Sequence, residues 1–214
     1  MTTAGNILRS RALLVSESLR YTPGSVQGHR VVSMRGDGFI GVAAALSASE
    51  YVVLLLPGVT LLRERKPDTS VGEALFCEAQ VQRSTVVLTI NVAWRESAAT
   101  PQQWRDTFAE DLDLEKQSDA FRDKLEFVDV PEAFTHLPDR VVRRYVPKAN
   151  PARLFQDVWL GASRINFELM ASIDMPQESA ARGLEPLIEQ AEVFVDRDLI
   201  RAWPGVESGP MKEQ

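Results

Sequence analysis

Residues 164–173 read RINFELMASI, and the alternation in this stretch decides the fold. Ile165, Phe167, Leu169, Ala171 and Ile173 fall on one side of an extended chain, with Arg164, Asn166, Glu168, Met170 and Ser172 on the other. Apolar residues at a period of two belong to a strand that covers a core with one face, as antiparallel sheets do. Upstream, Gly161-Ala162-Ser163 supplies a hairpin turn. It joins this strand to a second, Arg153 to Leu160. Arg140 to Val146 and Leu125 to Val130 extend the meander. Further back, Val86, Leu88, Ile90, Val92 and Trp94 alternate with Val87, Thr89, Asn91 and Ala93 and add another strand.

Between these strands the period changes to that of a helix. Thr100 can cap it, Pro101 suits the first helical position, and Gln103 completes the capping-box spacing. Trp104, Phe108 and Leu112 fall four apart on one face, while Asp106, Glu110, Asp111 and Asp113 occupy the rest. A short helical turn is expected at Ser118 to Lys124. Downstream, Met175-Pro176 ends the sheet. A closing amphipathic helix is expected from Leu184 to Ile200, with Leu184, Leu187, Ile188, Ala191, Val195 and Leu199 buried and Pro186 in its first turn.

The N-terminal part reads as strands joined by tight turns. Arg30 to Met34 and Phe39 to Leu46 flank Gly36-Asp37-Gly38, and Tyr51 to Leu56 and Thr60 to Arg63 flank Pro57-Gly58 in the same manner. The run from Phe39 to Gly58 is long enough to cross a bilayer, which takes about 20 apolar residues. It carries Glu50 near its middle, however, and a carboxylate there costs about 2.5–3.5 kcal/mol. Two buried strands joined by a polar turn at Ser47 to Glu50 explain the run without that cost.

The expected fold is therefore α+β, an antiparallel meander covered by helices. Residues 1–66 form an N-terminal β-rich extension packed on a core domain of residues 67–202, and residues 203–214 form a mobile tail. Lys66-Pro67-Asp68 marks the soft boundary.

With 44% hydrophobic and 25% charged residues over 214 positions, the chain can bury a core. Its net charge of −6 gives no electrostatic reason to bind nucleic acid. The charge is segregated: Asp106 to Glu126 holds eight acidic and three basic residues, and Asp139 to Arg153 holds five basic and one acidic. One cysteine, Cys77, allows no intramolecular disulfide and fits a reducing compartment; beside Leu75 and Phe76 it reads as a small core residue. The N-terminal apolar run, Ala12 to Val15, is too short for a signal-peptide core. The expected location is cytoplasmic.

Chemistry-bearing motifs are sparse. His29 and His136 sit in turn-like contexts without the close-spaced Cys or His that zinc requires. The chain has no G-x-S-x-G elbow or P-loop sequence. The acidic run Glu110-Asp111-Leu112-Asp113 reads as the solvated side of the helix. No catalytic residue, cofactor or metal is expected. The binding candidates lie in the positive segment: Arg140, Arg143, Arg144, Tyr145, Lys148 and Arg153, with Trp159 nearby. Arginine with tyrosine and tryptophan is the mixture enriched where proteins touch partners. A solvent-facing strand with charges that discourage edge pairing is the plainer reading of the same residues.

The element order resembles the PsbP/DcrB-like group of α/β/α sandwiches, which includes LpqN-type proteins and EagR secretion chaperones. The likeness rests on VVLTINVAW (86–94), TPQQWRDTFAEDL (100–112), the meander ending RINFELMASIDMP (164–176) and LEPLIEQAEVFV (184–195). It covers about residues 85–200. The resemblance implies an α/β/α sandwich without shared catalytic residues, acting as a binding module, adaptor or chaperone. The chain departs from the group in its longer N-terminal part and in having no export signal. The expected function is a non-enzymatic protein-binding adaptor or secretion-type chaperone of a bacterium, with another protein as partner. The alternative is a structural subunit of a larger assembly such as a phage or injection particle, with a small-ligand carrier or an enzyme behind both. A homo-oligomer is compatible with either leading reading, and neither nucleic acid nor a membrane is an expected partner.

Overall fold

The computed structural model describes residues 14–20, 29–36, 38–47, 49–65, 73–95, 100–119, 123–137, 139–162 and 164–197. Antiparallel strands dominate, so the α+β class holds. Among the described residues, twelve strands fall into two sheets. The first contains β1 (Leu14–Arg20), β2 (His29–Gly36), β3 (Phe39–Ala45), β4 (Tyr51–Pro57) and β12 (Glu192–Asp196), in the order β1-β2-β3-β4-β12. The second contains β5 (Val59–Glu64), β6 (Glu73–Val81), β7 (Ser84–Trp94), β8 (Leu125–Val128), β9 (Arg140–Pro147), β10 (Arg153–Ala162) and β11 (Ile165–Asp174). Their order is β5-β6-β7-β11-β10-β9-β8. The described helices are α1 (Pro101–Gln117), α2 (Glu132–Thr135) and α3 (Gln177–Glu189).

β11 lies in the middle of the larger sheet, between β7 and β10, as its clean alternation demands. Ile165, Phe167, Leu169, Ala171 and Ile173 all enter the main core. Burying a side chain such as Phe167 stabilises by roughly 1.5–3 kcal/mol. The same core takes Val86, Leu88, Ile90 and Val92 of β7, Leu75, Cys77, Ala79 and Val81 of β6, and Leu154, Val158 and Leu160 of β10. Two elements close it from the other side. Val31, Ile40, Val42, Val52, Leu54 and Leu56 come from the first sheet, and Ala180, Leu184, Leu187 and Ile188 come from α3. The opposite face of the first sheet carries a second cluster of Val32, Met34, Phe39, Ala43, Tyr51, Val53 and Leu55.

The stretch 39–57 is indeed a pair of buried strands, joined at Ser47–Glu50 by hydrogen bonds from Leu46 and Ser47 N–H to Glu50 O. Among the described residues no helix is long and apolar enough to cross a membrane. The capping box forms as its spacing predicts. Gln103 N–H donates to Thr100 Oγ1 at 3.2 Å, and Thr100 N–H donates to Gln103 Oε1 at 2.7 Å.

Three readings need correction. Pro57-Gly58 does not close a hairpin: β4 pairs with β3 and β12, while β5 pairs with β6, so the chain changes sheets at Gly58. Gly58 has φ of +76°, and its N–H donates to Gly38 O at 2.8 Å, which fixes the crossing against the β2–β3 turn. The closing helix starts at Gln177, directly after Pro176, rather than at Leu184, and ends at Glu189. Pro186 therefore sits near its end, where it removes the hydrogen bond that would reach the carbonyl four residues earlier. Val195, which helical spacing had placed on that helix, belongs to β12 and pairs with Val52, as its neighbour Val193 pairs with Leu54. β-branched and aromatic residues in EVFVD favour that extended form. β1 and β6 were not expected from the sequence. Leu199, Ile200, the 66–68 boundary and the 203–214 tail lie outside the described residues, as does part of the 118–124 turn.

Candidate functional site

β9 and β10 place the candidate residues, and strand alternation divides them. Their register pairs Tyr145 with Phe155, Arg144 with Gln156, Arg143 with Asp157, Val141 with Trp159 and Arg140 with Leu160. Odd-numbered residues of both strands point away from the core, and even-numbered ones point towards it. The positive segment is therefore not one patch.

Arg143, Tyr145 and Trp159 stand on the outer face of the seven-stranded sheet. Arg143 Nε and Nη2 donate to Asp157 Oδ2 at 3.0 and 2.5 Å, and Asp157 is only 1% exposed. Tyr145 stacks on Phe155 with centroids 5.2 Å apart and planes 10° from parallel, and Phe127 of β8 lies 6.3 Å beyond it. The Arg143 guanidinium lies 5.6 Å from the Tyr145 ring centroid. Trp159 meets Trp104 of α1 edge-on at 5.5 Å. The face continues across β11, β7 and β6. Asn91 Nδ2 donates to Glu168 Oε2 at 3.1 Å, and Met170, Thr89 and Phe76 follow one another in register. All three are partly buried. Near the far edge, Arg63 donates to Glu78 Oε1 at 2.8 Å and Arg65 donates to the same oxygen; these bonds hold the Glu78 carboxyl below its ordinary pKa.

α1 roofs one end of this face, over β9 and β10. Its anchor is Trp104, 5% exposed, with the Arg95 guanidinium 3.8 Å from its ring centroid and Trp159 at its edge. Arg105 Nη2 adds a hydrogen bond to Leu137 O at 2.7 Å. The side chains of Phe108 and Leu112, expected on the same helical stripe, lie outside the described residues.

Arg140 and Arg144 point the other way. Arg140 donates to Asp139 Oδ1 at 3.0 Å and to the Ala191 carbonyl just past the C-terminus of α3, where a cation is favoured. Arg144 is 3% exposed; its Nε donates to Gln156 Oε1 at 2.6 Å, and Gln156 Nε2 donates to Leu184 O at 3.4 Å. Its guanidinium lies 5.4 Å from the ring centroid of Phe134 on α2. Burial lowers its pKa, and the Glu185 charge partly restores it. Lys148 and Arg153 are exposed at the β9–β10 turn, where Arg153 Nε is 3.7 Å from Asp174 Oδ1.

The sequence reading missed Trp104, Phe127, Phe155 and Asp157 as members of this face. Alternation in Arg153–Leu160 already set Phe155, Asp157 and Trp159 on one side; only the register with β9, a long-range property, shows that they oppose Tyr145, Arg143 and Val141. Among the described residues no group of three or more His, Cys, Asp or Glu side chains gathers in a way that could hold a metal ion. In comparisons with known proteins, no family model, no curated protein and no solved structure matches this chain.

Proposed function

We propose that this chain is a non-enzymatic protein-binding module, an adaptor or secretion-type chaperone of the bacterial cytoplasm, that engages its partner on the outer face of the seven-stranded sheet. One observation carries the reading. The row Phe127, Tyr145 and Phe155 continues the sheet face beside the Arg143–Asp157 pair, all three aromatics are partly buried, and neither core cluster includes them. Aromatic residues and arginine around a desolvated charge pair are the composition of interface centres rather than of ordinary solvated surface. The likeness to the PsbP/DcrB-like α/β/α sandwiches gains support from α1 on the outer face of that sheet and α3 on its core face.

A second reading, a subunit of a larger assembly, is favoured by Val195, which is 47% exposed on the edge strand β12. Edge strands add further strands readily. One experiment separates the two. A photoreactive phenylalanine analogue replaces Phe127 or Phe76, or as a control Lys148, in cells of the source organism. The adaptor reading expects one discrete adduct with another protein from both face positions and none from the control. Adducts only with a second copy of the chain favour the assembly, and no adduct from either face position overturns the adaptor reading.

A further inference from the structure

Two buried polar atoms between α1 and the sheet have no hydrogen-bond partner among the described residues: Trp104 Nε1 and Asn166 Oδ1. An indole N–H can only donate and an amide oxygen can only accept, so the two are complementary in kind. They also converge. The indole nitrogen lies 3.2 Å, and the amide oxygen 3.8 Å, from the point that a Cβ on Gly161 would occupy. Trp104 is 5% exposed and Asn166 2%, so bulk solvent does not satisfy them. The Trp159 ring meets the edge of Trp104, and the Arg95 guanidinium lies over its face.

A donor and an acceptor that lie near one point, neither of them paired with a described residue, call for a small group that accepts from one and donates to the other. Water is the smallest such group, and buried waters typically bind two to four otherwise unsatisfied polar atoms. We propose that Trp104 Nε1 and Asn166 Oδ1 hold one buried water molecule beside Gly161, and that this water ties α1 to β10 and β11. Gly161 is part of the site. A Cβ there would lie 3.1 Å from Trp104 Cδ1 and would push the indole away from the spot its N–H must face.

The indole N–H resonance of Trp104, identified by its disappearance in Trp104→Phe, provides the test. In the wild-type protein it should show cross-relaxation with a water of long residence time. In Asn166→Leu, with the rest of the amide spectrum still dispersed, that cross peak should vanish. Absence of the cross peak in the wild type overturns the proposal, as does a peak that persists unchanged in Asn166→Leu. The wild-type measurement needs no substitution, so the proposal stays falsifiable even where the variant fails to fold.

Discussion

Arg143 and Asp157 meet across β9 and β10 with two guanidinium nitrogens on the same carboxylate oxygen, Oδ2, at 3.0 and 2.5 Å. The carboxylate is 1% exposed, so its charge is held by protein rather than by water. Removing one partner of such a pair strands the other. Asp157→Ala should therefore cost about 3–5 kcal/mol of unfolding free energy, whereas the double replacement Arg143→Met with Asp157→Leu should be close to neutral. Urea denaturation of the three proteins checks this. A loss below about 1 kcal/mol in Asp157→Ala would show that the pair is not desolvated in solution.

At the start of α1, Thr100 and Gln103 satisfy each other's backbone N–H. Thr100→Ala removes one of these bonds and should lower stability by about 1 kcal/mol, while Thr100→Ser should retain most of it. Thermal melts resolve that difference. Because Trp104 follows the cap and anchors α1, the Ala variant should also loosen the helix, seen as faster amide exchange across 104–110 with the sheet core unchanged.

The parts of this fold that were legible in the sequence are those set by local chemistry. β11 and β7 showed full alternation, and α1 had a complete capping signature, so each formed where its residues placed it. β6 also alternates inward, through Leu75, Cys77, Ala79 and Val81, but small residues at two of these positions weaken the contrast with the outward ones. Pro57-Gly58 looks the same in a hairpin and in a sheet crossing, because the choice depends on which distant strand each side pairs with. Leu184 to Val195 keeps helical spacing past the true helix end, and only pairing with β4 reveals the switch to a strand. The split of the candidate site needed no long-range pairing: alternation along β9 alone sends Arg143 to one face and Arg140 and Arg144 to the other, and only the register with β10 shows what each side meets.

Cys77 is buried between the sheets, and burial first, with the Glu64 and Glu78 charges adding to it, pushes its thiol pKa up to about 12 from an ordinary 9.0. The native thiol should resist a disulfide reagent at pH 8 and react fully once urea unfolds the chain. The sign of the pH effect follows from linkage. Between about 9 and 12 the folded state keeps a proton that the unfolded state gives up, so this contribution is complete below pH 9 and is lost as pH rises through that window. The slope is roughly 1.4 kcal/mol per pH unit for one group. Cys77→Ala should show a flatter decline there; an identical decline would place the thiol in contact with water.

Gly58 concentrates the sheet crossing in one residue. Its φ of +76° lies where a Cβ meets the neighbouring backbone, at about 1–2 kcal/mol for most residues. Its N–H must at the same time stay aimed at Gly38 O. Gly58→Ala should lower stability by roughly that amount, and Gly58→Asn by less, because asparagine tolerates the left-handed region better. The Gln190 side-chain oxygen lies 2.9 Å from the new Cβ position, but it is the end of a flexible chain and can move aside, so the backbone decides the outcome. Chemical denaturation of the pair orders them as wild type, Asn, Ala. If Ala proved as stable as the wild type, β4 and β5 would have to be joined by a different turn in solution, and the two sheets would not share the core through this crossing.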